Sequence, residues 1–283
     1  MIAAEQLEVS APPTTKTTRG KRQSALLRLR GEIPPTLRLV LAGGGLAFLL
    51  LLWTAAATVW SSSAFTVPTI PATLRALQEM WTEGTLWSDF TASSQRILIG
   101  YTASFVIGAA IGLAVGSFRS VEAFVEPQMG FLRYIPASAL TPLLLIWLGI
   151  DEAPKVALIL IGTVFYNALM IADVVRAVPS PLINAAYTLG ASRRTVLRRV
   201  IVPHSWPGMI DVARINLAAA WLMLVVAELL AAQEGLAFRI VRAQRFRDIP
   251  TMFALLITFG VIGLVSDLLL RRLRWFVARW ARP

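Results

Sequence analysis

Two stretches of this chain, Leu39–Trp60 and Ile97–Phe118, each run 22 residues without a charged side chain. A bilayer core about 30 Å thick needs roughly 20 such residues in a helix. Long uncharged runs also limit what backbone can be used, because in lipid every N–H and C=O must be paired within the protein. Two shorter uncharged runs, Tyr134–Ile150 and Val156–Ala172, have 17 residues each. Ile215–Gln233 carries one acid, Glu228, and Thr251–Leu270 carries one, Asp267. The pattern predicts an all-α, polytopic membrane helical bundle of about six transmembrane helices.

Composition agrees with that reading. Only 15% of residues are charged and the mean hydropathy is +0.66, against about 25% charged in an ordinary soluble domain. The 27 Lys and Arg outnumber the 16 Asp and Glu. Because these basic residues flank spans and form no single stripe, they do not describe a nucleic-acid surface. With no cysteine and one histidine, His204, thiol chemistry, disulfides and His-pair metal motifs are excluded. No acids cluster at ligand spacing, so a membrane-embedded enzyme is a poor reading.

Residues 1–38 form a polar, basic tail ending in an interfacial segment, followed by the first transmembrane helix, 39–60, read as uncleaved. An Ala-x-Ala at Ala55–Ala57 keeps cleavage open as the alternative. The tail at 271–283 is basic again. With the N-terminus inside, nineteen Lys and Arg fall on cytoplasmic segments and seven on outer ones. That bias places both termini in the cytoplasm. The outer cluster Arg239, Arg242, Arg245 and Arg247 runs against the rule. Long-range attraction of anions or of a partner's acids is one reading. A structural loop with Glu234 and Asp248 as counter-charges is the other.

Gly100, Ser104, Gly108, Gly112 and Gly116 recur every four residues, which lays them along one helical stripe where a second backbone can approach closely. Pro136 and Pro142 interrupt the third span. Arg133–Pro142 is therefore either irregular backbone lining a translocation route or merely a kinked helix. Glu228 either faces a path and gates it or pairs with an Arg of 239–247. An acid in the bilayer costs about 3 kcal/mol or more without a partner. Asp267 is one turn from Arg271 and Arg272, which predicts an interfacial ion pair.

Between the fourth and fifth spans lies a basic, non-membrane segment, 182–207. Gly190 reads as the residue that ends one short helix. Ser192 reads as the N-cap of the next. Val196, Leu197, Val200 and Ile201 share one face of that second helix and Arg193, Arg194 and Arg198 the other, with Pro203 and Pro207 ending it. His204 is read as part of the loop that follows. A short amphipathic helix of this kind suits docking in another protein's groove. An inside loop that is simply basic is the alternative.

The pattern Asn184-Ala185-Ala186-x3-Gly190-x9-Val200-x-Val202-Pro203 resembles the Glu-Ala-Ala loop of permease subunits in binding-protein-dependent ABC importers. Asn184 departs from it, standing where the family usually has Glu. Arg133-Tyr-Ile-Pro136 through Pro142, Trp147 and Gly149 is similar to the nitrate/sulfonate/taurine/bicarbonate branch. So are Trp221 to Glu228, and Arg245 through Phe253 to Gly260, Gly263 and Asp267. The resemblance covers roughly 68–270 and implies a type I permease core. In such a core Asn184, Ala185, Ala186, Gly190, Ser192, Val196, Leu197, Val200 and Pro203 couple to an ATPase, while Pro136, Pro142 and Glu228 belong to the path or gate.

The same resemblance implies cytoplasmic ABC ATPase subunits that hold ATP and Mg, an extracytoplasmic substrate-binding protein and a second permease copy, in a bacterial inner membrane. The chain would carry no cofactor of its own and no catalysis. Its only Gly-Lys, Gly20-Lys21, lacks the upstream glycine of a phosphate-cradling loop. Small anions, or vitamin precursors, are the substrates such a branch suggests. A self-sufficient secondary transporter or channel is the competing reading, against which stands the scarcity of intramembrane acids for ion coupling.

Overall fold

The computed structural model describes residues 33–60 and 67–278, leaving aside the side chains of Leu230 and Ala231. The described residues are helical throughout, with turns between. Residues 1–32 and 279–283, including most of the predicted N-terminal tail and the end of the C-terminal one, lie outside them.

The chain divides into two compact units, Met1–Ala55 and Ala56–Pro283. The first contains nearly all of α1 (Pro35–Val59), a 25-residue helix that is apolar on every side. A helix without a polar stripe suits a wholly apolar surrounding.

In the second unit, α2 (Ile70–Thr82) is capped by the Thr69 hydroxyl, with Pro71 in its first turn. The 33-residue α3 (Thr85–Ser117) follows, then α4 (Arg119–Leu132). A single 3-10 turn, Ala137–Leu140, leads into α5 (Thr141–Leu148), and α6 spans Glu152–Arg176. The short α7 (Ser180–Thr188) and α8 (Arg193–Val196) precede a π turn, Leu197–Ile201, that runs on into α9 (Val202–Ala231). The chain ends in α10 (Leu236–Arg245) and α11 (Ile249–Val277).

Among the described residues, five helical stretches are long and apolar enough to cross a membrane, or six if α4 and Ala137–Leu148 form one span bent by 77°. The interruption expected in the third span over Tyr134–Ile150 is thus a break in the helix, not a mere kink. Pro136 stands ahead of the 3-10 turn, and Gly149 at φ 83° stops α5 after eight residues. Pro142 sits in the first turn of α5, where its missing N–H has no partner to lose, so it starts a helix and does not kink one.

A correction concerns Pro203 and Pro207. Both lie within a continuous helix, so the segment after Ser192 does not end there, and His204 is helical. The Val202 N–H reaches back to the Leu197 carbonyl. That wider ring opens the turn just before Pro203, which can therefore be inserted without ending the helix.

The core is the α3–α6 seam. Val156 and Ile159 lie against Gly100, Asn167 and Ala168 against Gly108, and Ile171 against Gly112. An added Cβ at Gly112 would stand 2.5 Å from the Ala168 carbonyl oxygen, and one at Gly116 2.6 Å from Val175 Cβ. The seam predicted from the four-residue repeat is thus a backbone-to-backbone contact. Midway along it, Ser104 accepts from Thr163 Oγ1 (2.7 Å) and Asn167 Nδ2 (3.0 Å), and Asn216 Nδ2 of α9 donates to Asn167 Oδ1 (2.8 Å). All four side chains are buried, so the chain of hydrogen bonds pins α3, α6 and α9 together with its polar groups satisfied.

Candidate functional site

The predicted docking segment sits at one end of α9. Helix α7 ends at Thr188, and the chain turns through Gly190 at φ 77°, a left-handed conformation that glycine adopts without cost. The Ser192 hydroxyl then accepts from the Thr195 N–H (3.3 Å) and caps the next helix. Val196 is buried, anchoring the segment to the bundle, while Leu197, Val200 and Ile201 are half-buried. Arg193, Arg194, Arg198 and Arg199 are exposed and form no ion pair with any described carboxylate. Ser192, Arg194, Thr195, Arg198 and Arg199 line an open hollow of about 690 Å³.

On α7, Asn184 and Ala185 are exposed and Ala186 is half-buried. Leu182, Tyr187 and Leu189 also point outward, Leu189 being 87% exposed. An exposed aliphatic and aromatic group ringed by arginines has the make-up of a protein interface: apolar anchors, a charged rim. Of the predicted residues from 184 to 203, Asn184, Ala185, Gly190, Ser192 and Pro203 are exposed, Ala186, Leu197 and Val200 are half-buried, and Val196 is buried.

Pro136, Pro142 and Glu228 do not come together. Both prolines are exposed on the α5 side, where Ile146, Trp147 and Ile150 also leave the protomer uncovered. Leu144, against Leu158 and Ala227, and the buried Thr141 anchor α5. Glu228 is 1% exposed and is held inside the protomer at the opposite end of α9 from the docking segment.

There Glu228 accepts from the Ser93 hydroxyl (2.6 Å), Arg96 Nη1 (2.9 Å) and the Ala237 N–H (2.8 Å). Its counter-ion is thus Arg96 of α3, not an arginine of 239–247. That cluster lies on α10 and the turn after it, and its one paired member, Arg239, bonds Asp89 (2.5 Å). Arg96, itself 2% exposed, also grips both oxygens of Glu152 at 2.5 and 2.8 Å and donates to the Glu234 carbonyl (2.8 Å). Lys155 completes the group on Glu152 (2.8 Å). Three acids, Asp89, Glu152 and Glu228, face three bases, Arg96, Lys155 and Arg239.

The same side chains seat the start of α10. The N–H groups of Gly235, Leu236 and Ala237 donate to Asp89, Ser93 and Glu228 at 2.9, 2.9 and 2.8 Å. Three otherwise orphaned donors of a helix start are met by carboxylates and a hydroxyl, which the helix dipole also favours. Gly235 is at φ 131°, and a Cβ there would lie 2.5 Å from the Glu228 carboxyl. A sequence signal for this seat exists. Asp89, Ser93 and Arg96 continue the Gly100–Gly116 stripe toward the N-terminus at spacings of four, three and four.

At the docking end, Arg176 holds Glu122 (2.7 Å), Glu126 (2.8 Å) and Asp173 (3.1 Å). Asp267 does pair with Arg271 (3.1 Å), and also with Arg214, which in turn reaches Asp211. Among the described residues, no group of three or more His, Asp or Glu side chains is placed to hold a metal ion.

Residues 104–277 match the family model described as binding-protein-dependent transport system inner membrane component. The chain is 39% identical over 197 residues to a probable ABC transporter permease protein of Brucella melitensis, covering 70% of this chain and 80% of the relative. It is 32% identical over 258 residues to the taurine transport system permease protein TauC of Escherichia coli, covering 89% and 94%. In structure it is similar to a chain of the MetNI methionine ABC transporter in an inward-facing conformation. The TM-score is 0.60 at 19% identity, covering 70% of this chain and 97% of that one. With its helical bundle, seam and exposed turn, the chain belongs to the binding-protein-dependent inner membrane components, the permeases of ABC importers.

Proposed function

We propose that this permease couples ATP hydrolysis on a separate cytoplasmic subunit to the opening of a path for a small sulfonate-type anion. The observation that carries the coupling is the Gly190 turn. It presents exposed Leu189 and Tyr187 beside four exposed arginines, at the end of a helix that runs on through α9. A partner that grips this turn acts directly on α9, and through the Asn216–Asn167–Ser104 bonds on α6 and α3. Residues Asn184 to Pro203 are the contact, and the partner supplies ATP and Mg.

Two copies of the chain would pair through the uncovered α5 side, where Pro136 and Pro142 stand, so that the path runs between them. Glu228 belongs to the seat of α10 and acts on the path only through that seat. The docking end then faces the cytoplasm, α10 faces outward, and the protein resides in the inner membrane. The sulfonate assignment rests on the similarity to a taurine permease over 94% of that relative, taurine being an aminosulfonate.

The test is purification of the tagged chain in mild detergent beside Gly190→Val. Valine at φ 77° carries a penalty of about 1–2 kcal/mol and so disfavours the turn that presents Leu189. An ATPase subunit that accompanies the native chain and is lost from the variant bears the reading out. A native chain that stays ATPase-free under conditions preserving complexes overturns it in favour of a self-sufficient transporter.

A further inference from the structure

We infer that a groove between α3, α9 and α11 seats an anionic phospholipid, with an acyl chain in the groove and the phosphate on the arginines of α11 at its mouth. The groove has a volume of about 740 Å³ and follows the membrane-spanning parts of all three helices. Met209, Ile210 and Ala213 of α9 are buried along its floor, whereas Leu98 of α3 and Leu269 of α11 are exposed at its rims. Two of its few polar lining residues turn their hydroxyl protons to the backbone: Tyr101 donates to the Ala213 carbonyl (2.5 Å) and Ser266 to the Ile262 carbonyl (2.8 Å). What remains is a hydrocarbon surface. Left empty, its lining atoms would have no contacts on one side, and a hydrocarbon chain restores them.

The charge sits at the mouth. The groove ends at Trp206, Leu273 and Val277, on the side of the bundle that carries the Gly190 turn. There Arg271 pairs with Asp267 (3.1 Å), Arg274 with Asp211 (3.1 Å), and Arg214 with both aspartates. Arg272, next to the lining residue Leu273, is exposed and pairs with no described carboxylate. Four guanidinium groups against two carboxylates leave two positive charges uncompensated. Trp206, Trp275 and Phe276 are exposed at the same level, the aromatic make-up of a membrane interface. Basic pockets between spanning helices at that level hold anionic headgroups, and one guanidinium can donate two parallel N–H groups to a phosphate. Charge also argues against other apolar occupants. The chain's own first span is preceded by Arg28 and Arg30 and carries Arg38, and a second copy would present the same arginine-rich end of α11. Either would bring like charge to the mouth, which is unfavourable; a lipid phosphate brings the opposite charge.

The test uses the full chain in membranes of the cells that make it. Photoreactive p-benzoylphenylalanine replaces Leu269 or, as the reference, Leu264, which is exposed on α11 but lies outside the groove. Adducts are identified by mass spectrometry. The expected product at 269 is phospholipid, with the anionic classes enriched about fivefold over their share at 264, the factor that one arginine near a membrane surface supplies. Arg272→Gln removes the enrichment and Arg272→Lys keeps it. Because Arg272 is exposed and pairs with no described carboxylate, neither change takes away an ion pair that holds the fold. Phospholipid at 269 in the proportions found at 264 overturns the inference, as does the absence of lipid from 269. So does an enrichment that survives Arg272→Gln or is lost equally from Arg272→Lys. A product at 269 joined to residues 35–59 or to a second copy of the chain assigns the groove to that occupant instead and overturns it too.

Discussion

The two ends of the bundle handle charge in opposite ways. At the α10 end, Arg96 and Glu228 are almost fully buried, and six charges on α3, α6, α9 and α10 cancel within hydrogen-bond distance. At the docking end, Arg176 and Arg214 bridge helices through side chains that remain about a quarter exposed. Buried ion pairs are costly to break and tolerate no half-measures, while exposed ones re-form in other geometries at little cost. The difference teaches where the molecule is built to stay fixed and where it is free to yield.

Breaking the α10 end should have the largest effect. Arg96→Leu leaves Glu228 buried without its cation and is expected to cost about 3–5 kcal/mol, read as loss of folded protein in thermal or denaturant unfolding in detergent. An Arg96→Leu protein as stable as the native one would show that the acids relax into water, and the contrast between the ends would collapse. Between the two ends, Gly112→Leu tests the seam. Its side chain must displace the Ala168 backbone, for a cost of about 1–3 kcal/mol, and a cross-link between engineered cysteines on α3 and α6 should weaken. The smallest effect is expected at the docking end. Arg176→Gln should cost under about 1 kcal/mol yet raise the protease sensitivity of the α4 region, which it ties to α6 through Glu122 and Glu126.

Legibility in the sequence follows from how local each feature is. The seam was readable because a four-residue repeat of small side chains has one consequence in a helix. The Gly190 turn and Ser192 cap were readable because a left-handed turn and an N-cap each depend on one residue. Glu228 was not, because its partners Ser93 and Arg96 lie 135 and 132 residues away and Arg96 reads as an ordinary span-edge cation. Asn167 and Asn216 gave no signal of their own, since a lone amide in an apolar run does not say which helix it faces. Pro203 and Pro207 misled for a different reason. Pro203 occupies a position where a missing N–H costs little, which depends on the π turn before it and not on the proline, and Pro207 is carried inside the helix that follows.

The π turn at Leu197–Ile201 bears on the angular phase of the chain. An α-helix advances about 100° per residue, so a turn that takes in one extra residue offsets everything beyond it by about that angle. Deleting one residue there would leave the membrane part of α9 untouched and rotate Arg193, Arg194 and Leu189 to a different bearing about the helix axis. The direction in which the Gly190 turn faces is therefore set by a count of residues, separately from the side chains it carries.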